Sequence, residues 1–215
     1  MSATSCYHMS MNEHSPVIGA PPHPQPWPQG PQYDHELLAH GDTRNVIDKY
    51  RYWTVEAIKA DLDTHRASVH IAIENWQHDM NIGTIVRNGN AFNVAGVHII
   101  GRRHWNKRGA MVTDRYLLVT HHASVEDFVA TMKQAGKAII AVDNVEGAVP
   151  LGTASLPKDC VLVFGGEGPG LSDAMIAASD TMVMIEQFGS TRSVNVGVAS
   201  GIVLYAWVQQ HALNH

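Results

Sequence analysis

The 215-residue chain has only two cysteines, Cys6 and Cys160, so it can build neither a disulfide framework nor a four-cysteine zinc site. It has no run of about 18 apolar residues, which argues against a membrane-spanning helix. Its first residues lack the apolar stretch after basic residues that marks a secretory signal. The expectation is a soluble, cytosolic protein. No internal repeat is visible, and at this length the chain suits one domain with or without an extension.

Basic residues are scarce as well, 15 Lys and Arg against 20 Asp and Glu, but they are unevenly placed. Residues 1–79 hold 5 basic and 10 acidic side chains, and residues 126–215 hold 4 and 9. Residues 80–125 reverse the balance, with Arg87, Arg102, Arg103, Lys107, Arg108 and Arg115 against Asp114 alone. A concentrated basic segment in an acidic chain suggests a local anionic partner, with nucleic acid the usual candidate; the alternative is a solvated surface loop.

Seven of the ten prolines fall between Pro16 and Pro31. Proline removes an amide donor and fixes φ, so this run cannot join a helix or a central strand. The composition predicts a disordered or polyproline-like Pro/His-rich tail over residues 1–40. Its histidines His8, His14, His23, His35 and His40 have no regular spacing, which favours solvated side chains over a metal site. Trp27 and Tyr33 offer a way to pin the tail to a neighbouring surface. Asp42 and Thr43 can cap a helix that runs to about Arg66, giving an amphipathic helical extension over residues 41–67.

From residue 68 to the end the pattern changes to short apolar runs separated by helical stretches. Val69–Ile73, Val97–Ile100, Ala138–Val142, Cys160–Phe164 and Thr181–Ile185 are rich in β-branched residues, as strands covered on both faces are. Helices are expected over 81–94, 124–136, 171–179 and 195–211. Ser124 with Asp127 reads as a capping pair and Gly136 as a helix stop. This alternation implies an α/β domain with a mostly parallel sheet.

Three segments lie just after strands, where open parallel sheets bind ligands. The first is Asn81-Ile-Gly-Thr-Ile-Val-Arg-Asn88. The second, Phe164-Gly-Gly-Glu-Gly-Pro-Gly-Leu-Ser172, has four glycines in six residues, so its amides can face a ligand. It lacks the Lys of a phosphate-binding loop, and its glycine spacing misses the dinucleotide fingerprint. The third, Ser190 to Gly201, is a polar turn that runs into an apolar helix, and Ser193 or Asn195 can cap that helix.

In this order the three segments resemble the motifs of the SPOUT class of RNA methyltransferases, in its TrmH/SpoU branch. That branch typically carries Asn-x-Gly-x-x-x-Arg, Gly-x-Glu-Gly-x-Gly and Ser-Leu-Asn-Val-Ser-Val-Ala. This chain has Asn81 to Arg87, Gly165 to Gly170 and Ser193-Val-Asn-Val-Gly-Val-Ala199. It departs at Val194, at Gly197, and at Glu186, where a proline is common. The resemblance covers about residues 69–212.

The resemblance implies a carboxy-terminal trefoil knot, a homodimer and transfer of a methyl group from S-adenosylmethionine to a ribose 2′-hydroxyl of tRNA or rRNA. It puts Val142, Gly165, Gly166, Gly170, Ile185 and Val194 around the cofactor. Arg87 becomes the central catalytic residue, with Asn81, Glu167, Ser193 and Asn195 orienting it, the substrate and the loops. The cofactor carries its own reactive group, so no metal is required. Arg102, Arg103, Lys107 and Arg108 are the RNA-backbone candidates, with Trp105 available to stack on a base. His121 and His122 read as structural. Two other classes compete: an RNA-binding protein with this fold that has lost catalysis, and a nucleotide-binding α/β protein, which the missing phosphate-loop lysine disfavours.

Overall fold

The computed structural model describes residues 19–166, 168–191 and 193–213. They fall into two compact units, one ending at Ile58 and one beginning at Lys59. The expected tail lies outside the described residues up to residue 18. Residues 21–31 contain no helix and no strand, as their prolines dictate.

Residues 19–40 nevertheless depart from the expected tail. Ala20 bridges Asp42, Tyr33 bridges Trp53, and a short helix α1 spans His35–His40. The anchor is Asp42, which is fully buried and accepts hydrogen bonds from the Arg44 guanidinium at 2.7 and 2.8 Å and from the Tyr52 amide at 2.9 Å. Burial alone would raise its pKa. The bonds from Arg44 and Tyr52 outweigh that and hold it at about 2. Asp42 therefore closes a turn rather than capping a helix. The helix expected over 42–66 starts instead at Val55, where Thr54 Oγ1 accepts the Ala57 amide, and α2 spans Val55–Asp63.

The second unit alternates strand and helix: β1 Ala67–Asn75, α3 Ile82–Ala91, β2 Val94–Gly101, β3 Val119–His122, α4 Val125–Gln134, β4 Ala138–Val142, β5 Val149–Pro150, β6 Cys160–Phe164, α5 Asp173–Ala178, β7 Thr181–Met184 and α6 Val196–His211. All strand pairs are parallel, in the order β3-β2-β1-β6-β4-β7-β5. The chain winds from β1 to one edge and from β4 toward the other, so the topological switch falls around β6, where ligands bind in open α/β sheets.

Alternation along β1 separates the two faces. Val69, Ile71 and Ile73 join the apolar cluster under α3 and α6, while Ala72 joins the cluster under α4 and α5. On this second face His70, His98 and His122 form a ladder across β1, β2 and β3. His70 Nδ1 lies 2.9 Å from His98 Nε2, and His98 Nδ1 lies 2.9 Å from His122 Nε2. Burial lowers the pKa of all three, to about 4 for His70 and about 3 for His98, and the neighbouring imidazoles add to the fall at His98. His121 instead contacts the Gly101 carbonyl at 2.7 Å. Cys160 is buried, which pushes its thiol up to about 12; Cys6 lies outside the described residues. No helix is long and apolar enough to cross a membrane among the described residues.

Candidate active site

A cavity of about 460 Å³ opens at the carboxyl ends of β4, β6 and β7. Its walls come from three loops: Val142 to Val145 after β4, Phe164 to Gly166 and Gly168 to Gly170 after β6, and Ile185, Gln187 and Ser193 to Val196 before and at the start of α6. All six residues expected around a cofactor line it, namely Val142, Gly165, Gly166, Gly170, Ile185 and Val194, together with Ser193 and Asn195. Glu167 lies outside the described residues.

The glycine-rich loop needs its glycines for two reasons. It turns back on itself, with the Gly170 amide donating to the Gly166 carbonyl at 3.2 Å, so a Cβ on Gly165 would sit 2.2 Å from the Gly170 carbonyl carbon. Gly170 also has a φ of 72°, which side chains with a Cβ avoid. The returning end is fixed by carboxylates. Asp143 Oδ2 accepts the Leu171 amide at 3.1 Å, and Glu74 accepts from Ser172.

The first and third motifs meet at the cavity rim. Asn195 Oδ1 caps α6 by accepting the Gly197 and Val198 amides, while its Nδ2 donates to Asn81 Oδ1 at 3.1 Å. Asn195 thus both ends the loop and ties it to α3. About two turns further along α3, Asn88 Nδ2 donates to the Gly197 carbonyl at 2.8 Å and to Ser200 Oγ at 2.9 Å. Gly83 lets α3 press on the turn at residues 107–110, since a Cβ there would meet the Ala110 nitrogen at 2.6 Å. Arg87 is exposed on this helix, has no hydrogen bond or ion pair among the described residues, and does not line the cavity.

The basic segment follows β2. Asn75 Nδ2 donates to the Arg102 and His104 carbonyls at 2.8 and 3.0 Å, and the Asn106 amide donates to Asp79 Oδ2 at 2.7 Å. Arg102 and Lys107 are engaged within the chain, with the Gln77 carbonyl and with Asp114 at 2.8 Å. Arg103 and Arg108 are exposed and have no such partner among the described residues. Trp105 is half-buried against the apolar cluster, with Lys107 Nζ 5.6 Å from its ring centre, so much of its ring is already covered.

Asp143, Asn144 and Gln187 also line the cavity, although none of them belongs to the expected site. Asp143 had a readable signal, since it is the first polar residue after an apolar strand at the ligand-binding end of the sheet. Phe188, next to Gln187, is 97% exposed. No group of three or more His, Cys, Asp or Glu among the described residues could hold a metal ion.

Residues 68–205 match the model of the SpoU rRNA Methylase family. The tRNA (guanosine(18)-2'-O)-methyltransferase of Escherichia coli (strain K12) is 26% identical over 138 residues, which are 63% of this chain and 60% of that enzyme. The chain thus spans about three fifths of the length of that relative. Among solved structures, the A. aeolicus TrmH/SpoU tRNA modifying enzyme superposes with a TM-score of 0.64 at 22% identity, over 73% of this chain and 81% of the other. The AdoMet-bound rRNA methyltransferase from Sinorhizobium meliloti does so with a TM-score of 0.61 at 23% identity, over 72% and 60%. At these identities the structural likeness is one of fold.

Proposed function

The chain belongs to the SpoU rRNA methylase family, and from that premise we propose that it is an S-adenosylmethionine-dependent methyltransferase acting on a ribose 2′-hydroxyl of tRNA or rRNA. The observation that carries this reading is the cavity of about 460 Å³ on which the glycine-rich loop, the segment after β7 and the cap of α6 converge. Its size suits a ligand of cofactor dimensions.

The chemistry of its walls suits the same ligand. Val142, Phe164, Ile185 and Val194 offer an apolar slot for a flat base, and the backbone of Gly165, Gly166, Gly168 and Gly170 offers amides and carbonyls. The Asp143 carboxylate is on the wall, and no cationic side chain lines the cavity among the described residues. Such walls favour a cationic sulfonium over a di- or triphosphate, which weighs against the nucleotide-binding alternative. Bound there, S-adenosylmethionine supplies a methyl group ready for nucleophilic attack.

The chain's own residues must then make a hydroxyl nucleophilic. A guanidinium has a pKa above about 12 and keeps its proton, so Arg87 acts in this reading as a clamp on the adjacent phosphate and a stabiliser of developing alkoxide. The proton leaves to the phosphate or to water. Asn81 and Asn195 hold α3 against the cavity rim, and Ser193 offers a hydroxyl on the wall.

Arg87 lies outside the single-chain cavity, and this reading completes the site with a second copy of the chain. Supporting this, α6 exposes Val198, Ile202 and Tyr205 at helical spacing, 54%, 40% and 49% accessible. The same reading expects the carboxy-terminal segment to be threaded as a trefoil knot.

Transfer of labelled methyl from S-adenosylmethionine into unmodified bulk RNA tests the proposal. Label recovered in RNA is the expected result; cofactor binding with no transfer would leave an RNA-binding protein in its place.

A further inference from the structure

Glu74, the penultimate residue of β1, faces the α4/α5 side and is fully buried. Its carboxylate accepts three hydrogen bonds, from the Ser172 amide at 2.7 Å, from the Ser172 hydroxyl at 2.7 Å and from the Trp76 indole nitrogen at 2.9 Å. No cation pairs with it among the described residues. A carboxylate is costly to bury, and one kept without a counter-charge must be held for what it holds.

What it holds is the closing end of the glycine-rich loop. Ser172 is where the loop ends and α5 begins, and its hydroxyl also caps that helix by accepting the Met175 amide at 3.2 Å. The opening end is fixed independently, because Phe164 pairs with Ile73 in the sheet. Between the two ends lie glycines free of side-chain restraint, including Gly168 and Gly170 with φ of 99° and 72°. A loop of that composition keeps one shape only when both ends are fixed. Glu74 also lies against the start of the loop: its own carbonyl is 3.2 Å from where a Cβ of Gly166 would sit.

We infer that Glu74 is a positioning residue for the cofactor loop: its buried carboxylate holds Ser172 so that the backbone of Gly165, Gly166 and Gly168 to Gly170 keeps the shape that receives the cofactor. The inference rests on the reading of the cavity as a cofactor site. It adds a residue that belongs to none of the three motifs and does not line the cavity.

The three donors define a test. A carboxylate is acceptor-only and satisfies them all, whereas an amide turns an NH₂ group toward one of them. In Glu74→Gln, one amide oxygen can still take the Ser172 amide, and the hydroxyl can rotate. The Trp76 N–H is then left facing N–H. Replacing a charge-assisted bond by this clash raises KM and Kd for S-adenosylmethionine about tenfold. At saturating cofactor, kcat stays within about threefold, because no reacting group has moved.

Adding Trp76→Phe removes the opposing donor, so Glu74→Gln/Trp76→Phe recovers most of the lost cofactor affinity. A generally destabilised protein would not show that recovery. Should Glu74→Gln fold poorly, Ser172→Ala removes one donor to Glu74 together with the α5 cap and raises KM about threefold. Binding is measured by titration calorimetry and KM by methyl transfer. An unchanged KM in Glu74→Gln, a loss confined to kcat, or a double variant no better than the single one would overturn the role of Glu74 while leaving the cavity's reading intact. A wild-type protein that binds no S-adenosylmethionine would overturn that reading, and the inference with it.

Discussion

Two regions at the same end of one sheet are built to opposite plans. Beyond β4, β6 and β7 the chain turns back on glycines to form a recess walled by backbone and apolar side chains, with a carboxylate and no cation among its described lining residues. Beyond β1 and β2 it projects an exposed segment with Arg102, Arg103, Lys107 and Arg108, rooted by Asn75 and Asp79. A recess with amides suits one small molecule held by shape, while exposed cations suit a polyanion held by charge. α3 stands between the two plans, tied to the recess through Asn81 and Asn88 and pressed against the basic side through Gly83. Arg87 is exposed on that helix, and the proposed reading makes it the charge for a reaction that joins the two ligands.

The comparison breaks most sharply at Arg87. Arg87→Ala is expected to lower the transfer rate about 10³-fold while cofactor affinity stays within about twofold, as for other groups acting only on developing charge. Single-turnover transfer and calorimetric binding read the two effects separately. Gly165→Ala should do the reverse. Its new Cβ collides with the Gly170 backbone, so cofactor affinity is expected to fall about 100-fold and stability by about 1–3 kcal/mol. Retained cofactor affinity would show that the loop is not the wall it is taken to be.

On the charged side, Arg103→Gln with Arg108→Gln should weaken RNA binding about tenfold at low salt. The slope of log K against log salt should fall by about 1.4, at roughly 0.7 per contact with single strands. The same change at Arg102 and Lys107 should do less, because both are engaged within the chain. Equal effects for the two pairs would blur the distinction.

The smallest expected effect lies beneath the basic side, in the histidine ladder. Burial lowers His70 to about 4 and His98 to about 3 from 6.5, so the folded chain binds fewer protons than the unfolded chain below pH 6.5. The stability held by neutral imidazoles is therefore complete above pH 6.5 and is lost progressively as pH falls through the folded values. Lys137 and Asp159 face His70, and His121 and Asp127 face His122. Urea midpoints between pH 7.5 and 4.5 should stay level down to about 6.5 and then decline. A flat profile to pH 4.5 would contradict the neutral ladder.

Much of the sheet was legible because buried parallel strands are apolar on both faces. β1, β2, β4, β6 and β7 each coincide with an expected run to within a few residues. β3 escaped because it is an edge strand whose buried position carries His122, so polarity inverts the pattern there. β5 escaped because it has two residues, one of them Pro150. Residues 19–40 were misread for a different reason. Their order comes from partners distant in sequence, such as Tyr52 donating to the Pro21 carbonyl at 2.6 Å, and no local pattern reports such contacts.

At the site, the glycines and the polar cap of α6 could be read because close backbone approach demands particular residue types. Asp143 and Glu74 could not be ranked above other carboxylates in the same way. Their importance lies in which amides the fold brings to them.

Whether the three loops form one cofactor cavity is decided by a crystal structure of the protein with S-adenosylhomocysteine. The adenosyl group is expected between Val142, Gly165, Ile185 and Val194, with the sulfur facing the α3 side. A ligand seated elsewhere, or a cavity left empty at saturating concentration, would contradict it.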